Sequence, residues 1–387
     1  MAARLVVVGA GPMGLAAAVA AIDAGFDVTV LERGTPGEAL CKWGPTRFFS
    51  PLRMNISERM QELLGESLPD PDALLTGPEM AELVLAPLAD TPLLRDRVRS
   101  GHRVVAIGRR GLARTDLPNH PLRGEKPFRI LVESPSGEEL MEAEIVLDAS
   151  GGHALPARVG AGGVPALGEQ NASPALIRFL GDMHTKREDL RGKRILLVGH
   201  GHSAANAIVA LDELARENPA TRVTWAVRTM RELPSAVVAN DPLPERQRIV
   251  SRANAIAKDP PSCLKVERRA EVESLARNNG CIDVRFTRER AGTYDFVIAM
   301  TGYRPDLSLT SELPLNISPI SEGGGALHRA IGSVTDCLST PTLDRADLES
   351  GEPGFYFIGS RSYGRSRTFL LQTGLAQLST IMAGLNP

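Results

Sequence analysis

The chain has 387 residues, 43% of them hydrophobic, and a formal net charge of −2. That is apolar material for about two to three domains with separate cores, and the near-neutral charge excludes the strongly basic face that nucleic-acid binding requires. The apolar run from Ala16 is broken by Asp23 and then Gly25, so no apolar stretch reaches bilayer-spanning length, and nothing near Met1 reads as a signal peptide; the expectation is a soluble, cytoplasmic protein with no membrane partner.

The first element is Leu5-Val6-Val7-Val8, a short apolar run of the kind that forms a buried parallel strand. It leads into Gly9-Ala10-Gly11-Pro12-Met13-Gly14 and then a helical pattern, the context a nucleotide-pyrophosphate fingerprint needs. In such a turn the first glycine permits the bend, the second lets backbone approach phosphate, and the small third residue lets helix pack on strand. The helix N-terminus supplies N–H groups and a favourable dipole for the anion. A second strand, Asp27-Val28-Thr29-Val30-Leu31, ends in Glu32, followed by Arg33. A carboxylate there suits two free ribose hydroxyls, as in FAD or NAD; an ordinary solvated strand end is the alternative.

Downstream lies an aromatic and basic loop, Cys41-Lys42-Trp43-Gly44-Pro45-Thr46-Arg47-Phe48-Phe49-Ser50-Pro51, then Asn55-Ile56-Ser57-Glu58-Arg59-Met60, which also reads as a helix start. The spacing predicts a helix over 77–89, strands at 103–107 and 128–132, and a buried strand over 143–148 that turns at Ser150 and Gly151, close to a bound nucleotide. Residues 151–174 have the composition of a crossover linker. The fingerprint then recurs: Arg194-Ile195-Leu196-Leu197-Val198 runs into Gly199-His200-Gly201-His202-Ser203-Ala204. Its second strand, 222–227, ends in Arg228, with Arg231 nearby and no acid at the corresponding place, which favours the 2′-phosphate of NADPH unless Arg228 is a solvated strand end. Residues 295–302 repeat the acid–strand–small–Gly form of 148–151 and close on Thr301 and Gly302; a strand over 354–359 and a helix over 369–383 complete the chain.

Cys41, Cys263, Cys281 and Cys337 form no close pair in sequence, which argues against dithiol chemistry unless distant ones meet in the fold, and buried inert thiols are expected; the histidines offer no metal pattern, so no metal site is expected.

This arrangement resembles the two-dinucleotide-binding-domain flavoproteins, which include the thioredoxin reductase-like enzymes and the class B flavin monooxygenases. The resemblance covers nearly the whole chain and implies an α/β fold of two Rossmann-like, three-layer ββα domains, an NADPH domain (175–310) inserted into an FAD domain (1–165 and 311–387). It implies a cofactor-binding set of Gly9, Gly11, Pro12, Met13, Gly14, Glu32, Arg33, Trp43, Arg47, Ser150, Gly151, Gly199, Gly201, His202, Ser203, Ala204, Arg228, Thr301, Gly302, Gly359 and Ser360. Where many relatives carry Gly-Asp in the closing turn, this chain has Gly359-Ser360. Residues 179–184 are similar to the FxGxxxHxxx(W/F) signature of flavin monooxygenases, one residue short between Gly181 and His184 and without the final aromatic, a helix–loop leading into Lys193 being the alternative; 55–60 resemble the segment that places an asparagine over the flavin edge.

The implied activity is an NADPH-dependent monooxygenase in which a flavin C4a-hydroperoxide, formed with molecular oxygen, oxidises nitrogen, sulfur or carbon of a small metabolite. Its catalytic candidates are Asn55 as a donor and Arg47 or Arg365 as cations near developing negative charge. The competing enzyme reading is an NADPH-dependent flavin reductase with a non-disulfide acceptor; a non-enzymatic redox sensor is a third. Residues 41–51 and 360–367 are expected on the substrate side of the flavin, with Trp43, Phe48, Phe49 and Tyr363 among Arg47, Arg361, Arg365 and Arg367, and a homodimer is the assembly to test.

Overall fold

The computed structural model describes residues 2–387 except 119, 153, 154, 333, 335 and 340, so His153 and Ala154 of the linker stretch lie outside the described residues. Two units emerge: Met1–Leu40, Pro51–Leu155 and Arg304–Pro387 form the first, and Cys41–Ser50 with Pro156–Tyr303 form the second.

In the first unit a five-stranded parallel sheet runs, edge to edge, Phe355–Phe357, Ile145–Asp148, Arg4–Val8, Asp27–Glu32 and Val98–Ser100. Because side chains alternate across a strand, Val6 and Val8 face a second layer, the antiparallel sheet Arg103–Arg109, Phe128–Ser134 and Gly137–Ala143, and share a core with its Ile107, Phe128, Ile130 and Val132. Leu5 and Val7, fully buried, take the opposite face, where helix Pro12–Asp23 packs against the C-terminal helix Leu371–Ala383. The C-terminal segment is tied in by charge as well. Glu352 accepts from Arg109 Nε at 2.6 Å and Arg123 Nε at 2.9 Å, with all three side chains sealed from solvent.

The second unit repeats the plan with the parallel order Leu264–Arg268, Arg222–Val227, Arg194–Val198, Phe296–Ala299, Leu176–Ile177. Leu196, Val198, Val297 and Ala299 pack on an antiparallel sheet through its Val272, Leu275 and Val284, while Ile195, Leu197 and Ile298 pack on the helices. Each unit is thus a ββα sandwich in which the parallel strands are near-continuous apolar runs whose alternate residues serve the two flanking layers. The duplication extends to an ion pair at the sheet's foot. Arg4 donates its backbone N–H and guanidinium to Glu144, and Arg194 does the same to Asp295. The hydrogen bond from Arg194 holds the Asp295 carboxyl far below the usual carboxylate range, against the opposing effect of burial.

Over 77–89 the helix is continuous but changes pitch, from Gly77–Met80 through a π-helical turn Ala81–Leu85 to Ala86–Ala89. Pro87 has no N–H to give the ladder, and a widened turn lets the helix pass it without breaking.

Candidate functional sites

The three small positions of the first fingerprint have separable duties. Gly9 sits at φ +99°, and a Cβ there would come within 2.8 Å of the Ala149 carbonyl oxygen. A Cβ on Gly14 would meet the Gly9 carbonyl oxygen at 1.9 Å, so helix Pro12–Asp23 packs on the turn only because that atom is missing. Gly11 is different: beyond its two chain neighbours nothing lies within 4 Å of its would-be Cβ, so the bare backbone borders open space. The helix has Gly11 as its N-cap, no side-chain cap and no acid in its first turn, leaving its N–H groups for an anion. Glu32 accepts from the Ala10 N–H at 2.8 Å and the Gly34 N–H at 2.9 Å, which fixes its carboxylate at the strand end beside the turn. Arg33 is exposed next to it. These are the features a dinucleotide pyrophosphate and ribose require, and the residues fit FAD.

The second fingerprint shows the same division of labour. Gly199 is at φ +125°, and its Cβ would fall 2.2 Å from the Met300 carbonyl oxygen. Ala204 fills the third place, fully buried, and Gly201 again borders open space at the N-cap of helix His202–Glu217, which has no acid in its first turn. Trp225 locks the turn from below by donating its indole N–H to the Gly199 carbonyl at 2.8 Å. Beyond the strand end, a cavity of about 380 Å³ is lined by His200, Arg228, Thr229, Arg231, Pro234 and Glu271. Arg228 and Arg231 both line it, and the lining fits a 2′-phosphorylated adenosine. It also brings in a carboxylate, Glu271, from past the neighbouring strand, a distance along the chain that hides it from motif reading.

The crossing points carry their own networks. Gly151 and Gly302, at φ +89° and +97°, each border open space. Thr301 Oγ1 donates to the Ala157 carbonyl at 2.9 Å, and the Ala157 N–H donates to the Gly302 carbonyl. Arg178 and Glu169, both buried, pair at 2.8 Å, and Glu169 also accepts the Val159 and Ala166 N–H groups. The Tyr303 hydroxyl donates to the Arg178 carbonyl, and burial together with the nearby Asp182 charge pushes its pKa up to about 12. In the first unit, Gly359 at φ +64° lies against Met13, where a Cβ would fall 2.7 Å from Met13 Cγ. The Ser360 hydroxyl accepts the Gly152 N–H at 3.1 Å. Ser150, exposed, has its N–H held by Asp148 at 3.0 Å.

Sequence reasoning missed what Asp148 does on its other oxygen. It accepts from Arg361 Nε at 3.0 Å in a pair sealed from solvent, with the guanidinium carbon 4.3 Å above the Phe357 ring. Arg361 is therefore a buried strut and not a pocket cation, and Tyr363, 1% exposed and hydrogen-bonded to Gln377, is core as well. Both readings are corrected for one reason: partners distant in sequence draw the side chains inward. Arg365 and Arg367 remain exposed.

Asn55 is buried and follows the 3₁₀ turn Leu52–Met54, its N–H bonded to the Leu52 carbonyl. The helix Glu58–Leu64 is capped by Ser57, whose hydroxyl accepts the Met60 N–H, so the N-cap is Ser57 and not Asn55. Asn55 and Arg365 lie on separate segments of the first unit; Arg47 and Trp43 belong to the second, in the loop Cys41–Ser50. Phe179 begins helix Leu180–Thr185 and stacks on Tyr303, with centroids 5.3 Å apart. Burial, reinforced by Arg187, holds the His184 imidazole below its usual pKa. All four cysteines are free thiols, but only Cys337 is buried: Cys41 is exposed and Cys263 and Cys281 are partly so, which corrects the expectation of buried thiols; among the described residues no helix is long and apolar enough to cross a membrane.

Residues 6–63 match the family described as pyridine nucleotide-disulphide oxidoreductase. No curated protein matches the sequence. Among solved structures, the bacillithiol disulfide reductase Bdr (YpdA) from Staphylococcus aureus is similar over 99% of this chain and 98% of its own, with a TM-score of 0.66 and 16% identity. The ornithine N-hydroxylase KtzI of Kutzneria sp. 744, solved with reduced FAD, NADP⁺ and L-ornithine, is similar over 99% and 98%, at 0.65 and 17%. The cadaverine monooxygenase DfoA of Erwinia amylovora, solved with FAD, is similar over 100% and 95%, at 0.65 and 12%. The chain has the two-dinucleotide-binding-domain fold shared by thioredoxin reductase-like enzymes and class B flavin monooxygenases.

Proposed function

We propose that the protein is an FAD- and NADPH-dependent oxidoreductase that works as a monooxygenase on a small metabolite, inserting one atom of molecular oxygen at nitrogen, sulfur or carbon. The observation that carries the reading is the doubled fingerprint. Each copy has its second glycine facing open space at an uncapped helix N-terminus, one beside Glu32 and the other beside an arginine-lined cavity. FAD is assigned to the unit containing Gly9, Gly11, Gly14, Glu32, Ser150, Gly151, Gly359 and Ser360. NADPH is assigned to the unit containing Gly199, Gly201, His202, Ser203, Ala204, Arg228, Thr301 and Gly302. FAD held in the first unit would supply the redox chemistry that couples NADPH oxidation to oxygen.

The chain's own residues supply binding and orientation. The two helix N-termini hold the pyrophosphates, and Arg228 with Arg231 neutralises the 2′-phosphate. Asn55 offers an amide donor from a buried position, and Arg47 or Arg365 offers positive charge where negative charge develops. The four free cysteines, dispersed along the chain, support an acceptor other than a disulfide. Similar folds include both hydroxylases and a disulfide reductase, so the test compares acceptors. NADPH consumption with oxygen and a panel of amine, thioether and ketone metabolites should yield oxygenated product. Rapid turnover with quinones and no oxygenated product would assign the protein to the NADPH-dependent reductases.

A further inference from the structure

The loop Cys41–Ser50 follows the first unit's ribose strand in sequence, yet it belongs to the second unit. Two anchors hold it there. At one end the Lys42 carbonyl accepts the Gly181 N–H at 3.1 Å. A Cβ on Gly181 would stand 2.2 Å from that carbonyl oxygen, and one on Gly44, at φ +60°, would stand 3.0 Å from Gly181 Cα, so the two segments touch backbone to backbone. At the other end Phe49 packs on the second unit's helical core and meets the His202 ring edge-on, with centroids 5.2 Å apart and planes at 86°. Between the anchors Trp43 and Phe48 form a tilted ring pair at 4.9 Å, Trp43 half-buried and Phe48 buried.

The strand order says which part of a dinucleotide passes here. The ligand lies across the C-terminal ends of the parallel strands, with pyrophosphate at the fingerprint helix and adenosine at the next strand. In this unit the adenosine end is the Arg228 side, beyond Arg222–Val227. The other half of the molecule must leave on the opposite side, past Phe296–Ala299 and Leu176–Ile177, where helix Leu180–Thr185 begins. The loop is fastened to both limits of that path: His202 at the phosphate turn and Gly181 on that helix.

We propose that Cys41–Ser50 is the nicotinamide-side wall of the second nucleotide site, offering the Trp43 ring to the nicotinamide riboside and held in place by Phe49 on His202. The proposal rests on the assignment of NADPH to this unit. It gives Trp43, which the resemblance already implies as cofactor-binding, one defined coenzyme, and sets the loop expected beside the flavin against the nicotinamide.

The test is equilibrium binding of NADP⁺ and of adenosine 2′,5′-bisphosphate, which lacks the nicotinamide half, to the full-length FAD-loaded protein. Trp43→Ala and Phe49→Ala should each weaken NADP⁺ by about tenfold, the scale of one aromatic stacking contact, and leave the bisphosphate within about twofold of the parent. Trp43→Phe should restore most of the NADP⁺ affinity, which a merely structural role would not require, and unchanged bisphosphate binding shows that each variant keeps the folded adenosine site. Equal weakening of both ligands, or no weakening of either, would overturn the loop's role while leaving the coenzyme site standing. Failure of the parent protein to bind either ligand would remove the site and the loop's role with it.

Discussion

Gly11 and Gly14 belong to one turn, and they should fail in opposite ways when given a side chain. Gly14 has the Gly9 carbonyl 1.9 Å from its would-be Cβ, whereas Gly11 has nothing beyond its chain neighbours within 4 Å. Gly14→Val should therefore destabilise the fold by about 1–3 kcal/mol or more, the usual scale of overpacking. Gly11→Val should leave the flavin-free protein's melting temperature nearly unchanged and abolish flavin retention; full flavin occupancy in purified Gly11→Val would refute the pyrophosphate assignment. The same reasoning applies in the Arg228 cavity. Arg228→Ala should weaken NADPH by about 1.5–3 kcal/mol, the range for hydrogen bonds to charged groups, with little effect on NADH. Glu271→Gln removes a negative charge from the same cavity and should raise NADPH affinity selectively. Steady-state constants for the two coenzymes check both, and parallel changes for NADPH and NADH would show that neither side chain reads the phosphate. The glycines could be recognised in sequence because their requirement is local: a turn, an approach, a contact with the next helix. Glu271 could not, because only the fold carries it to Arg228.

At the scale of elements, the Asp148–Arg361 pair joins the end of strand Ile145–Asp148 to the turn after Phe355–Phe357, across 213 residues of chain. Removing one partner strands a buried charge, so Arg361→Met should cost about 3–5 kcal/mol in urea unfolding. Asp148→Leu combined with Arg361→Met should recover much of the loss. Additive losses in the double variant would mean that the two side chains do not act as a pair. Helix Leu180–Thr185 carries a pH-dependent contribution. His184 has a folded-state pKa below the ordinary 6.5, from burial first and Arg187 second. As the pH falls through about 6.5 the unfolded chain takes up this proton before the folded one, so the contribution is complete above that pH and declines below it. His184→Gln should flatten the fall in unfolding free energy between neutral and mildly acidic pH; parallel curves for parent and variant would contradict this. Strands and helices are readable from apolar periodicity, and Ser57 and Asn55 show where such reading stops. Both are good cap residues, and the Ser57 hydroxyl takes the cap through its bond to the Met60 N–H. Arg361 and Tyr363 were invisible as core because burial depends on Asp148 and Gln377, which lie elsewhere in the chain.

For the whole molecule, the doubled ββα plan is written in the sequence because each copy spells the same parts in order: apolar strand, small-residue turn, helix, ribose strand, and a closing strand preceded by an acid. The matching pairs Arg4–Glu144 and Arg194–Asp295 show that the repetition reaches the feet of both sheets. Membership of the loop Cys41–Ser50 in the second unit was not written there, since contacts with Gly181 and His202 decide it. The central claim is that one unit holds FAD and the other delivers a hydride from NADPH. Anaerobic mixing of the purified, FAD-loaded protein with NADPH or NADH, followed by the visible flavin absorbance, tests it most directly. Rapid bleaching with NADPH and much slower bleaching with NADH is the predicted result; a protein that retains no flavin, or whose bound flavin neither coenzyme bleaches, would contradict it.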